Sequence, residues 1–158
     1  MEEIYLFDWG NTLMVDFKGK DGKMCDWDQV QAVDGALETL KYLSQQHSIY
    51  VATNAADSSE NDIKKAFARV GLDSYINGYF CKTNVGFDKS SCTFYRKIID
   101  KLNVDPQSIT MVGDTLEKDI KPALEAGIKA IWYNPQAQHT QSTYDIRQIR
   151  HLSEIYLK

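Results

Sequence analysis

The sequence predicts an α/β fold: a three-layer α/β/α sandwich around a central parallel sheet. Three observations carry that expectation. Short apolar runs of strand length recur along the chain, at Ile4–Phe7, Ile49–Ala52, Ile109–Val112 and Ile128–Trp132. Segments of ten to fifteen residues with apolar positions at helical spacing separate them, the pattern of βαβ units. Two of the runs, the first and the one at 109–112, lead into an acid through or before a glycine turn. That puts carboxylates at the sheet edge where ligands of open α/β sheets bind.

Taken in order, Ile4-Tyr5-Leu6-Phe7 is the first strand, ending at Asp8 and breaking into Trp9-Gly10-Asn11-Thr12. The next stretch, with Lys18-Gly19-Lys20-Asp21-Gly22-Lys23, reads as a polar hairpin turn, so a short flap is expected over about residues 13–27. Ala36, Leu37, Leu40 and Leu43 predict a helix from about Gly35 to Gln46. Ile49–Ala52 is the second strand and ends at Thr53-Asn54. Ser58 or Ser59 caps a helix whose apolar face is Ile63, Ala66, Phe67 and Val70, stopped by Gly71. Tyr79-Phe80 is a short third strand. Phe94, Ile98, Ile99 and Leu102 mark a helix closed before Asp105-Pro106. The strand 109–112 follows, then a helix bearing Ile120, Ala123 and Leu124 and ended by Gly127, then the strand 128–132.

Composition narrows the function classes. The 158 residues suit one domain over 1–158 with a sizeable core. A net charge of −4 offers no electrostatic footprint for nucleic acid. No apolar run approaches the roughly 18 residues of a membrane span, and no signal-peptide pattern opens the chain. Three cysteines, Cys25, Cys81 and Cys92, lack metal-ligand spacing and read as reduced thiols of a cytoplasmic protein.

The chemistry sits in four places. Asp8 ends the first strand; Gly113-Asp114 ends the strand at 109–112, with Asp119 five residues further on. Acids delivered by two strands to one edge read as a divalent-cation site with an aspartyl nucleophile. Taken singly the signals are bland: an Asp after a strand is usually a turn or capping residue, and Thr53-Asn54 is an ordinary strand exit. Lys89 alone is a solvated lysine, with Lys82 a competitor. Glu117 and Lys118 read as solvated residues opening a helix, and His47, His139 and His151 as surface residues. Trp9 and Trp27 suit the site mouth or the core equally.

In combination these motifs resemble the haloacid dehalogenase superfamily, most of whose members are Mg²⁺-dependent phosphohydrolases with a Rossmann-like core. The first motif appears as Asp8-Trp9-Gly10-Asn11-Thr12, the second as Thr53-Asn54, and the third as Lys89, 25 residues before Asp114. The fourth is Gly113-Asp114-Thr115-Leu116-Glu117-Lys118-Asp119, followed by Ala126-Gly127. The resemblance implies a phosphomonoesterase working through an aspartyl-phosphate on Asp8. Asp8, the Gly10 carbonyl, Asp114 and Asp119 would bind Mg²⁺; Thr53, Asn54 and Lys89 would bind phosphate.

One position departs from that pattern. Most phosphatases of the superfamily carry a second Asp two residues after the nucleophile, which protonates the leaving group and activates water. Here it is Gly10, and general acid–base help is worth ~10²–10⁴ in rate. Asp16 and Asp26 in the flap are the nearby acids. A glycine two residues past a strand end also suits a turn with φ > 0. The alternative function is a weakly active or non-catalytic phosphate- and metal-binding regulatory protein. A receiver-like domain is disfavoured, because its phosphoacceptor follows the third strand. Neither gap in which the superfamily inserts a cap, Leu13 to Ser48 or Ala55 to Asp88, has room for a large one. The expected partners are a phosphorylated small molecule or phosphoprotein, or a second copy completing an open site.

Overall fold

The computed structural model describes residues 3–55, 57–137 and 146–157. Among these, six strands form one sheet: β1 (Ile4–Phe7), β2 (Ser48–Ala52), β3 (Gly78–Phe80), β4 (Ile109–Gly113), β5 (Lys129–Tyr133) and β6 (Arg147–Ile149). Their order is β3-β2-β1-β4-β5-β6, and every pairing is parallel. Successive side chains of a strand face opposite ways, so β1 divides its apolar pair between two cores. Phe7 packs with α1 (Ala36–Leu43) and α2 (Glu60–Ala68); Leu6 packs with α4 (Cys92–Leu102) and α5 (Lys121–Glu125). Both residues are fully buried. The result is the three-layer sandwich that the alternation of strands and helices implies.

Local chemistry fixes the helix ends. Ser59 caps α2: its Oγ accepts from the Asp62 N–H at 3.2 Å, and the Asp62 carboxylate accepts from the Ser59 N–H at 3.0 Å. This reciprocal box satisfies two of the N–H groups a helix start leaves open. Asn103, in the left-handed region, closes α4. A short helix, α3 (Lys82–Val85), and β6 were not expected. β6 is only three residues long with one buried side chain, Ile149, so it carries no apolar run to read.

The flap differs from the expected hairpin. Antiparallel pairing lies only at its base, where the Val15 N–H donates to the Gln31 carbonyl and the Val33 N–H to the Leu13 carbonyl. Between these bonds the chain runs as a broad loop holding one 3-10 turn, Met24–Asp26. Met24 buries its side chain in the core and tethers the loop. Helix α2 adds polar tethers: Lys23 pairs with Asp62 at 2.9 Å, and the Arg69 guanidinium donates to the carbonyls of Cys25, Trp27 and Asp28. Among its described residues, the interval between β2 and Asp88 holds α2, a 3-10 turn, β3 and α3, and no cap. No helix among the described residues is long and apolar enough to cross a membrane.

Two of the three histidines are partly buried rather than simply at the surface. His47 Nδ1 accepts from the Glu3 N–H at 2.9 Å and meets Tyr5 edge-on. His151 accepts from the Ser153 N–H at 3.2 Å. His139 lies outside the described residues.

Candidate active site

The strand order reverses at β1, with β2 on one side and β4 on the other, and crevices form at the carboxyl ends of such strands. Register decides which residues meet there. Phe7 lies opposite both Val51 and Val112. The residues one or two places on, Asp8, Thr53 and Asp114, therefore emerge together at one edge. The Asp8 N–H is held by the Val112 carbonyl at 2.9 Å, so its side chain stands on rigid backbone.

Lys89 is the electrostatic centre. Its ammonium donates to Asp8 Oδ1 at 2.7 Å and to the Ala52 carbonyl at 3.1 Å, and lies 2.5 Å from Asp119 Oδ1. Lys89 is 2 % exposed. Burial opposes its charge, but Asp8 and Asp119 outweigh that and raise its pKa. Lys82, by contrast, opens α3 on the exposed surface. The second oxygen of Asp8 accepts from the buried Thr12 hydroxyl at 3.1 Å.

Two more carboxyls complete the group. Burial first, and the neighbouring Asp8 second, pushes Asp114 up to about 8. Asp119 is pushed up to about 6, again by burial and then Asp8, with Lys89 pulling the other way. Asp119 reaches the edge through a π-helical turn, Leu116–Ile120, in which the Lys121 N–H bonds the Leu116 carbonyl five residues back. Such turns are rare and concentrate at functional sites. Gly113 makes room for the carboxylate: a Cβ there would lie 2.3 Å from Asp119 Oδ2. Lys118, on the same turn, borders the cleft as well as solvent, and its carbonyl accepts from the buried Tyr95 hydroxyl at 2.8 Å.

All seven residues singled out from the sequence, Asp8, Gly10, Thr53, Asn54, Lys89, Asp114 and Asp119, line one open cleft of about 380 Å³. Two of the three tryptophans border it: Trp9 is nearly buried against Phe67, while Trp27 is partly exposed on the flap. Asn54 has a further task. Its Oδ1 accepts from the Lys89 N–H at 3.0 Å, fixing the loop that delivers the ammonium. Thr53 Oγ1 accepts from the Ala55 N–H at 3.2 Å and leaves its own proton free to donate. The expected positive φ falls on Asn11, at 60°, and not on Gly10. Asn11 in turn accepts from the Asp16 N–H at 3.0 Å, which draws Asp16 to the cleft, whereas Asp26 does not line it.

The donor set fits a small hard cation. Oxygens of Asp8, Asp114 and Asp119 lie within 4.8 Å of one another. Carboxylates so close repel unless a proton or cation lies between them, and carboxylate oxygen is the ligand Mg²⁺ favours.

Comparison with known proteins bears on the family. Residues 10–127 match the family of haloacid dehalogenase-like hydrolases. The pyrimidine 5'-nucleotidase PynA of Streptococcus pneumoniae is 32% identical over 124 residues, 75% of this chain and 51% of that protein. YfnB of Bacillus subtilis, named as a HAD-hydrolase, is 26% identical over 130 residues, 79% of this chain and 54% of that protein. The chain thus spans about half the length of these curated relatives. A crystal structure of YfnB bound to magnesium superposes with a TM-score of 0.73 over 80% of this chain and 55% of that one. An uncharacterised protein from Listeria monocytogenes serotype 4b shares the fold at 23% identity and a TM-score of 0.85, over 97% of this chain and 94% of that one. With its motifs, sheet order and sequence match in agreement, the chain belongs to the haloacid dehalogenase-like hydrolase family.

Proposed function

We propose that the protein is a Mg²⁺-dependent phosphomonoesterase acting through an aspartyl-phosphate on Asp8. The observation that carries this reading is the buried Lys89 ammonium, shared by Asp8 and Asp119 beside the carboxyl of Asp114. The three carboxylates would hold the cation. When bound, it neutralises charge between a phosphoryl group and the attacking carboxylate.

The chain's own groups supply the rest. Thr12 and Lys89 each hold one oxygen of Asp8, which restricts the carboxylate to a fixed direction of attack. Lys89 also offers point charge to the phosphoryl oxygens. Thr53 and Asn54 line the same cleft, and a hydroxyl and an amide N–H are donors suited to phosphoryl oxygens. Asp8 attacks phosphorus and expels the alcohol; water then opens the acyl phosphate, two easier steps in place of one. The names of PynA and of the glyceraldehyde 3-phosphate phosphatase of Pyrococcus furiosus support phosphorylated small molecules as substrates.

Asp8→Asn tests the reading. It keeps the shape and removes the nucleophile, so turnover of phosphate esters in Mg²⁺ is abolished while the fold persists. Beryllium fluoride, a mimic of the acyl phosphate, binds the wild type and not the variant. Activity retained in Asp8→Asn, or after exhaustive chelation, refutes the mechanism. Gly10 is the observation that favours a second reading, a phosphate- and metal-binding protein with little turnover. That reading gains if metal and beryllium fluoride bind but no ester is cleaved.

A further inference from the structure

Expelling an alkoxide needs a proton, and the groups around Asp8 are ill suited to give one. Lys89 is held between two carboxylates with its pKa raised, and Asp114 and Asp119 belong to the cation site. Two other acids line the cleft, Asp16 on the flap and Asp57 beyond β2. Asp57 Oδ1 is engaged by the Ser58 hydroxyl at 3.2 Å. Asp16 is placed differently. A Cβ built on Gly10 would meet Asp16 Cβ at 3.4 Å, Oδ2 at 3.5 Å and Cγ at 3.7 Å, before any other atom outside the neighbouring residues Trp9 and Asn11. The Asp16 carboxyl therefore stands against the open face of Gly10, two residues past the nucleophile. It is also part of the wall of a second cleft of about 430 Å³, which shares Asn11, Asp16 and Asp114 with the first. A leaving group extending from one cleft toward the other passes this carboxyl.

We propose that Asp16 is the proton donor to the leaving group, a carboxyl brought in from the flap to the space left by Gly10. This rests on the phosphomonoesterase reading. In the first step Asp8 Oδ forms the bond to phosphorus, the bond from phosphorus to the ester oxygen breaks, and the Asp16 proton moves to that oxygen. The products are an alcohol, the aspartyl-phosphate and an Asp16 carboxylate. In the second step water attacks phosphorus, its proton returns to Asp16, and inorganic phosphate leaves with the Asp8 carboxylate restored.

The flap holds Asp16 where the role requires it. The Asn11 side chain pins its backbone N–H, and the Val15–Gln31 bond fixes the residue before it. Gly10 lets the carboxyl approach because it carries no side chain.

The test is alcohol release in a single turnover with Mg²⁺, across esters whose leaving-group pKa runs from nitrophenyl to alkyl. This isolates the first step. Asp16→Asn lowers the alkyl rate by ~10²–10⁴, the usual worth of a general acid, with the loss shrinking as leaving-group pKa falls. Asp57→Asn keeps the wild-type slope. Adding Gly10→Asp to Asp16→Asn restores alkyl turnover at least about tenfold, since the backbone at position 10 tolerates a side chain. Wild-type melting temperature and beryllium fluoride binding in Asp16→Asn show that fold and nucleophile are intact. A uniform loss across the series, or none, overturns the role of Asp16 while leaving Asp8 chemistry standing. A wild type inactive on every ester overturns both.

Discussion

Replacing Gly113 with alanine tests how the cluster is seated. The added Cβ would lie 2.3 Å from Asp119 Oδ2 and 2.4 Å from Asp119 Cβ and Cγ. Ordinary contact begins near 3.4 Å, so the carboxylate must retreat by about 1 Å. Asp119 is 1 % exposed, and its other oxygen lies 2.5 Å from Lys89. Opening that pair by about 1 Å at an effective dielectric of about 20 removes roughly 2 kcal/mol of attraction. Overpacking adds about 1–3 kcal/mol. The expected loss is about 3–5 kcal/mol, a large part of the roughly 5–15 kcal/mol that holds a typical domain folded. Urea unfolding in EDTA and in Mg²⁺ measures it: the midpoint falls in both, and the Mg²⁺-induced rise in melting temperature shrinks, because that rise comes from binding the folded state. A loss under about 1 kcal/mol with a wild-type Mg²⁺ response refutes the view that this close approach seats Asp119.

Other perturbations follow from the same geometry. Lys89→Met leaves Asp8 and Asp119 facing each other without their cation, and removing one partner of a buried pair costs about 3–5 kcal/mol. In EDTA the variant's melting temperature drops sharply and Mg²⁺ recovers part of it; equal drops in both media contradict the shared-cation picture. Folding raises the pKa of Asp114 to about 8 and of Asp119 to about 6. The folded state then holds protons the unfolded chain has released, so that contribution is complete below about pH 4 and is lost as pH rises through 6 and 8. Melting scans in EDTA between about pH 5 and 9 should slope downward and flatten in Mg²⁺; a flat EDTA profile refutes the coupling of these acids to folding. Arg69→Ala removes the bonds to three flap carbonyls. Trypsin then cleaves the flap lysines faster while the melting temperature moves little, and an unchanged digestion pattern shows that Met24 and the Lys23–Asp62 pair suffice to hold the flap.

What could be read from the sequence follows a physical division. Strands β1, β2, β4 and β5 are largely buried, so each shows as a mostly apolar run, and β1 and β4 announce Asp8 and Asp114 at their ends. The longer helices show through their 3.6-residue period, and the cap of α2 narrows to Ser58 or Ser59, of which the fold uses Ser59. What stayed hidden depends on groups distant in the chain. Asn54 reads as a phosphate donor, and nothing local tells that its Oδ1 holds the Lys89 N–H 35 residues on. Arg69 looks like any basic residue at a helix end until the flap carbonyls fold over it. Thr12 was visible in the motif, but its bond to Asp8 Oδ2 needs the turn that folds it back. The π-turn has no periodic signature within five residues, although the spacing from Asp114 to Asp119 was plain. Asp16 was legible as a nearby acid, and only the packed flap separates it from Asp26.

The anchoring of the flap to α2 bears on how ligands come and go. A wall that must close over its substrate loses conformational entropy at each encounter, and binding is weakened by that amount. Here Met24, Lys23 and the Arg69 guanidinium order the wall during folding, before any ligand arrives. On the proposed function, a ligand would then enter and leave without a hinge motion of the flap. Exchange through such a fixed mouth is governed by diffusion and by the charges that border it. Selectivity rests on the standing shape of the cleft, with Trp27 on one side and the carboxylates on the other, rather than on a conformational checkpoint.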